Sequence, residues 1–328
     1  MAPNLRTLRH ELGYRALCAL LDNSRRFSLG GLRRGGAALG RLALLLQPRE
    51  RRRALGHLAL AFPEHDEAWR RGVVRAAASH FGQVLGEVAW LWSTPPEPLL
   101  ARTEMVGLEH LTAAISPEGG PMLVTGHCGN WEWMNLAIGA AGVPMTVAAR
   151  EVYDPRLDDI VRRLRGRFGG ETVLRGPGAG QRLSRALREG RVLGMLIDQD
   201  IDAPGVFVDF FGRPAWTPSG AAVIALRSRR PLVPGHARRL PDGSFRLTFE
   251  PPIVPHFTGD LAADAGRLTA VLTARIEAWV RDEPAQWVWM HRRWRRKPAD
   301  GERVWSVDDA AEPVPQVGAA ADGPEKSG

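Results

Sequence analysis

Lysine is almost missing from this 328-residue chain. It occurs only at Lys297 and Lys326, so the formal charge of +8 rests almost wholly on arginine. Cysteine is as scarce: Cys18 and Cys128 stand far apart, which excludes a disulfide framework and a cysteine metal spacing and suits a reducing compartment. No run of 18 apolar residues occurs, which argues against a conventional spanning helix. Residues 1–10 lead into no apolar core with a small-residue cleavage site, so no signal peptide is expected. Two shorter apolar stretches, 12–21 and 37–46, are edged by Arg25, Arg26, Arg33, Arg34 and Arg41. They read equally as helices on the protein's own core or as helices lying in a membrane interface with arginines among the headgroups. Eleven tryptophans favour the interface.

Residues 1–93 read as helical throughout, with a basic-apolar helix over 49–62 and a longer one over 67–92. Ser93-Thr94-Pro95-Pro96-Glu97-Pro98 is the clearest punctuation in the chain. Beyond it, apolar strand patterns at 121–125, 145–149, 171–174, 192–197, 232–236 and 245–250 alternate with helical patterns. The helices fall at 131–141, 155–168, 178–189, 218–228 and 261–281. Such alternation predicts an α/β fold with a mostly parallel or mixed sheet flanked by helices, behind a helical N-terminal region. No internal repeat is present. Past Pro298 the composition shifts to Ala, Pro, Gly and acidic residues, which predicts a disordered tail over 299–328.

The organising stretch is 122–134. An apolar strand breaks at Gly126, presents His127, breaks again at Gly129, and resumes as a helix from Trp131. Asn130 is a good N-cap and places Glu132 in the first helical turn, where the helix dipole favours a carboxylate. His127 then sits at the carboxyl end of a strand, the edge where open α/β sheets bind ligands. A His oriented by a carboxylate is a ready general base. The plainer reading is a hydrogen-bonded structural pair; the two glycines argue for a tight turn or close backbone approach instead. Cys128 is not read as a nucleophile, because adjacent residues on extended backbone point apart.

Other candidates share that sheet edge. Arg150 follows a strand and is open to reading as a solvated strand-end charge. Asp198-Gln199-Asp200 follow another; a turn explains them as well, and so short an acidic cluster argues only weakly for magnesium. The stretch 205–217 carries more aromatic residues than a solvent loop needs and suits either core or the wall of an apolar-ligand site. The segment 287–297 mixes three tryptophans with a run of cations, a combination that binds phosphates, headgroups or nucleic acid.

His127-Cys128-Gly129-Asn130-Trp131-Glu132 matches the His-x4-acid motif of the glycerolipid acyltransferase superfamily. More narrowly, the chain resembles the lipid A biosynthesis lauroyl/myristoyl acyltransferase family. The resemblance lies in Gly126-His127, Gly129 to Glu132, Asp198-Gln199, Gly205 to Val208, Phe210-Phe211-Gly212, Ala215, Thr217 and Trp289 to Trp294. Residues 51–63 fit the family's N-terminal region, with His57-Leu58 where Asn-Leu is usual. The resemblance runs from about residue 10 to 297. Two departures stand out: Cys128 replaces an aromatic or aliphatic residue, and the apolar N-terminal runs are shorter than the membrane anchor of many relatives, which makes peripheral attachment as good an expectation.

The resemblance implies three regions: a helical membrane-associating part over 1–98, an α/β acyltransferase domain over 99–298, and the tail. It implies O-acylation of a lipid A precursor or related phosphorylated glycolipid at the cytoplasmic face of a bacterial inner membrane. The donor is then an acyl thioester on acyl carrier protein or coenzyme A, with no metal, no further cofactor and no nucleic acid. His127 takes the proton of the attacking hydroxyl and Glu132 holds the imidazole. Asn130, Asp198, Gln199, Gly212 and Thr217 are expected in the substrate site. Phe207, Phe210 and Phe211 are expected along the acyl path, and Arg150, Arg292 and Arg293 on the acceptor's phosphates. Arg150 or backbone N–H groups of the 126–129 turn are the candidate oxyanion donors. Basic residues over 162–167 are expected to dock acidic acyl carrier protein. The alternatives are another acceptor, such as phosphatidylinositol mannoside, or a non-catalytic basic membrane- or nucleic-acid-binding protein.

Overall fold

The computed structural model describes residues 5–151 and 154–310. Four helices lead: α1 (Leu5–Asp22), α2 (Leu29–Leu46), α3 (Pro48–Ala61) and α4 (Glu67–Leu91). After the proline-rich junction come α5 (Pro96–Leu100), β1 (Thr103–Val106), α6 (Leu108–Thr112), β2 (Met122–Thr125), α7 (Trp131–Ala140) and β3 (Met145–Ala149). Next are α8 (Pro155–Arg165), β4 (Glu171–Leu174), α9 (Ala179–Arg188), β5 (Val192–Leu196), β6 (Gly205–Asp209) and β7 (Pro214–Pro218). The chain continues through α10 (Gly220–Ser228), β8 (Leu232–Arg239), β9 (Phe245–Phe249), α11 (Leu261–Asp282) and β10 (Val304–Trp305).

Seven strands form one sheet in the order β1-β9-β8-β2-β5-β3-β4. Every neighbouring pair is parallel except β8 with β9, so the expected mixed α/β sheet is the one observed. Central strand β2 is buried at all four residues, as its unbroken apolar run requires of a strand covered on both faces. Side chains alternate along it. Met122 and Val124 enter one core with Leu193, Leu272 and Ile276, while Leu123 enters the other with Trp133, Leu136 and Ile138 of α7. This double burial fixes β2 in register and so fixes the turn that follows it.

Helices α2 and α4 meet backbone to backbone. A Cβ at Gly36 or Gly40 would lie 2.0 Å from the carbonyl oxygen of Gly82 or Ala78, and one at Gly86 2.4 Å from that of Leu32. Only residues without a side chain permit this approach. Gly82→Val is therefore expected to destabilise the fold by roughly 3 kcal/mol, the upper end of ordinary overpacking, read as a lower denaturant midpoint. The 37–46 stretch is not all core: Leu39, Leu42, Leu45 and Leu46 are 50–72% exposed. No helix among the described residues is long and apolar enough to cross a membrane.

The 205–217 stretch folds as the hairpin β6–β7, joined in a second sheet by β10. Its reversal falls at Phe211 and Gly212, with φ of 58° and 67°, the left-handed pair of a tight hairpin turn. Holding Phe211 there costs on the order of 1–3 kcal/mol. Its N–H donates to Glu277 Oε2 at 2.6 Å and the Arg281 guanidinium lies over its ring, 4.4 Å from the centroid. β10 corrects the expectation of a structureless tail from residue 299. Trp305 is buried beside Val208 and Ala270 because Gly266 of α11 leaves room for its ring. The rest of the expected tail, 311–328, lies outside the described residues.

Candidate active site

Parallel strands β2 and β5 pair with Thr125 opposite Leu196. Two residues past each strand, His127 and Asp198 come level at the sheet's carboxyl edge. His127 Nδ1 and Asp198 Oδ1 are 2.7 Å apart, and the His127 backbone N–H donates to Asp198 Oδ2 at 2.7 Å. Trp287 Nε1–H donates to the same Oδ2 at 2.8 Å. Asp198 is 1% exposed, and a side chain at Gly126 would press on its carboxylate, 3.1 Å from Oδ2. Burial alone would raise the Asp198 pKa; the charge and hydrogen bonds of His127 and the Trp287 donor outweigh it and hold the carboxyl down at about 2. An ionised Asp198 accepts from Nδ1–H, which leaves Nε2 of His127 as the basic nitrogen. The His127 side chain is 21% exposed and packs edge-on against Trp131, ring centroids 4.7 Å apart. A buried carboxylate behind a partly open imidazole is an arrangement that takes up a proton from a bound hydroxyl.

Glu132 sits elsewhere. As expected, Asn130 caps α7 by accepting from Trp133 N–H at 2.9 Å, with Glu132 in the first turn. Its carboxylate, however, accepts from Arg165 Nε of α8 at 2.9 and 3.1 Å and from Arg165 Nη2. Burial would lower the Arg165 pKa, but the charge and hydrogen bonds of Glu132 raise it above the usual guanidinium value. The expected His127–Glu132 pair is thus corrected to His127–Asp198, with Glu132 locked to Arg165. Beside that ion pair, a cavity of about 30 Å³ bounded in part by Thr125, Trp131, Met134, Asn135 and Met145 has room for a water or two.

The turn itself is sealed. Gly129 has φ of 58°, and a Cβ there would lie 2.0 Å from the Ala237 carbonyl. Its N–H donates to Gln286 O at 2.9 Å. The N–H groups of His127 and Gly129 therefore both have partners inside the protein, which removes these two from the expected oxyanion donors. Cys128 is buried and its thiol is pushed well above the usual value by that burial and by the Asp198 charge, which keeps it protonated and un-nucleophilic.

Residues 20–296 match the family model for bacterial lipid A biosynthesis acyltransferase. The chain belongs to that family. This acyltransferase is 29% identical over 268 residues to the lipid A biosynthesis lauroyltransferase of Escherichia coli (strain K12), covering 80% of this chain and 85% of the relative. The lipid A biosynthesis myristoyltransferase of the same organism is 28% identical, covering 80% and 81%. A phosphatidylinositol mannoside acyltransferase of Mycobacterium tuberculosis (strain ATCC 25618 / H37Rv) is 28% identical over 238 residues, 70% of this chain and 72% of the relative.

Several residues expected at the acyltransferase's substrate site are instead interior. Phe207 packs on Trp216; Phe210 lies against Trp287 and Trp294; Phe211 lies against Phe62 and Trp289. The two arms of a hairpin closed over α11 must bury their aromatic side chains, so these three form core rather than an acyl wall. Gly212 serves the hairpin turn. Arg293 is fully buried: it donates to the Trp216 carbonyl and to Thr217 Oγ1 (2.6 Å) and lies over Phe210. Burial drags its pKa down to about 10. Thr217 and Arg293 thus hold each other, and Arg293 is not placed to meet a phosphate from solution. Asn130 is buried too, its amide donating to Glu87 at 2.9 Å.

The 287–297 segment is therefore a strap over the site that buries its tryptophans and Arg293 and leaves Arg292, Arg295 and Lys297 at the surface. Trp287, Trp289 and Trp294 are core, and Arg295 and the Arg296 backbone bind buried Asp200. His291 in the strap feels the charges of both Asp198 and His127; burial holds it neutral, at about 4. Gln199 is half-buried between the two aspartates, and Arg292 is exposed. Arg150 is exposed at the end of β3, two strands or roughly 10 Å from β2. Arg175, just past β4, shares that edge and its pKa is lowered by partial burial and by the Arg150 charge. Sequence patterning passed over Arg175; its only signal was its place one residue past a strand. In the basic run over 162–167, Arg162 and Arg163 pair with Asp158 and Asp159 one turn earlier, Arg165 pairs with Glu132, and Arg167 donates to the Leu91 carbonyl. Arg162, Arg163 and Arg165 each face a carboxylate, so the run offers an acidic partner few unpaired cations.

Proposed function

We propose that this acyltransferase moves a fatty acyl chain from an acyl thioester, on acyl carrier protein or coenzyme A, to a hydroxyl of a lipid A precursor or related phosphorylated glycolipid. The supporting observation is the His127–Asp198 pair. Nε2 of His127 takes the acceptor proton as its oxygen attacks the thioester carbonyl; Asp198 stabilises the imidazolium; the tetrahedral intermediate collapses and the thiolate leaves with that proton as a thiol. The thioester is already activated, so the step needs no acyl-enzyme. General-base help of this kind is worth ~10²–10⁴ in rate. Arg150 and Arg175, exposed along the same sheet edge, suit the acceptor's phosphates.

The exposed leucines of α2 and the neighbouring Arg34 and Arg41 support peripheral seating on the cytoplasmic face of an inner membrane. Phosphatidylinositol mannoside is the second acceptor, favoured by the mycobacterial relatives. The test is turnover: purified protein, myristoyl- or lauroyl-acyl carrier protein or the coenzyme A ester, and each glycolipid in detergent micelles, with products weighed by mass spectrometry. Transfer to one acceptor, lost in a folded His127→Ala variant, is the expected result. Salt-sensitive liposome binding with no transfer to either acceptor would make the chain a membrane-binding protein instead.

A further inference from the structure

The segment after His127 is held from below by buried charge. Glu87 of α4 is fully buried and every acceptor position on it is used. Its Oε1 accepts from Arg33 Nε and Arg239 Nε, both at 2.7 Å; its Oε2 accepts from Arg239 Nη2 at 2.8 Å and from Asn130 Nδ2 at 2.9 Å. Arg239 Nη1 then donates to His80 Nδ1 at 2.7 Å, and His80 Nε2 donates to the Gly129 carbonyl at 2.9 Å. A carbonyl only accepts, so the tautomer of His80 is set: proton on Nε2, lone pair on Nδ1 toward Arg239. Burial and the Arg239 charge keep that ring neutral, at about 3. Arg33 and Arg239 also lie 5.4–5.9 Å from the ring centroids of Phe245 and, for Arg33, Trp133.

One helix thus clasps two adjacent residues of the turn, Gly129 through its carbonyl and Asn130 through its amide. Stability alone is a poor explanation, because a buried ionic cluster is often no more stabilising than apolar side chains of the same volume. Its geometry is specific where it meets the turn. We infer that His80 and Glu87 are positioning residues for the reaction: they fix the Gly129–Asn130 backbone, and through it the placement of the His127 ring on Asp198. The inference rests on the acyl-transfer reading of His127. It also makes the N-terminal helices part of the site, since Arg33 of α2 shares the Glu87 carboxylate.

The test pairs His80→Leu with His80→Gln. Glutamine can donate to the Gly129 carbonyl and accept from Arg239; leucine does neither. In folded protein His80→Leu is expected to lower kcat by up to ~10²-fold, the cost of a catalytic group displaced by about 1 Å, with KM little changed. His80→Gln is expected to recover most of that loss. The ring-nitrogen NMR signals of His127, read without turnover, are expected to move in His80→Leu and return in His80→Gln. If His80→Leu lowers only the melting temperature, with wild-type kcat per folded molecule and unmoved His127 signals, the network is structural and the inference falls. If the unmodified protein transfers no acyl chain, the functional reading fails instead, and the NMR comparison still decides whether His80 positions the ring.

Discussion

Asp198→Asn is expected to cut kcat by ~10²–10⁴, the range of general-base assistance, while leaving KM close to that of the unmodified enzyme. The amide cannot simply take the carboxylate's place. Oδ2 receives two fixed donors, the His127 N–H and the Trp287 indole N–H, so the amide oxygen must turn toward them. Its NH₂ then faces Nδ1 of His127 and donates there, which forces the ring proton onto Nε2 and leaves no base for the acceptor hydroxyl. KM should hold because Asp198 is 1% exposed and both its oxygens are engaged by His127 and Trp287. Glu132→Gln is expected to behave differently. It strips the partner from a largely buried guanidinium, Arg165, at a cost of about 3–5 kcal/mol in stability, yet the surviving folded enzyme keeps the pH dependence of kcat/KM. Urea melts alongside pH–rate profiles separate the two. A folded Asp198→Asn enzyme with undiminished kcat, or a Glu132→Gln enzyme whose pH profile shifts, would return the orienting role to Glu132.

Why that carboxylate could not be read in advance is a matter of range. The strand, the two glycines, the histidine and the Asn130 cap are local chemistry, each legible within a few residues, and all stand where the pattern puts them. Glu132 was the nearest acid in sequence, but an N-capped helix carries it to α8, where Arg165 captures it. Asp198 lies 71 residues from His127. It comes alongside only because β5 inserts between β2 and β3 in a definite register, and strand order is not written in periodicity. The aromatic hairpin and the tryptophan-arginine strap failed for the opposite reason. Their composition is equally right for a core and for a ligand wall, and only the packing of α11 under both decides between them. Family resemblance marked these segments as important without saying which face the substrate.

Acid should unfold this protein earlier than its carboxylates alone require. His80, His236 and His291 are held neutral, at about 3, 4 and 4, chiefly by burial. Arg239 adds to this at His80. At His236, stacked on Trp279, the Asp282 charge opposes the shift and Arg238 assists it; at His291, Asp198 and Asp200 oppose it, and His127 and Arg293 assist. His57, packed under Trp289 and Trp294, is lowered as well, by burial first. In the unfolded chain these rings titrate near 6.5. Between that value and the folded pKa the unfolded state holds the extra proton, so stability falls as pH falls, by about 1.4 kcal/mol per pH unit for each ring. Three such rings imply a loss of roughly 4 kcal/mol between pH 7 and 5.5, before most carboxylates titrate. Urea midpoints over that interval measure it. His80→Gln removes one titrating ring and should shrink the slope by about one third; a slope that is flat in the unmodified protein, or indifferent to His80→Gln, would mean the buried imidazoles find protons without unfolding.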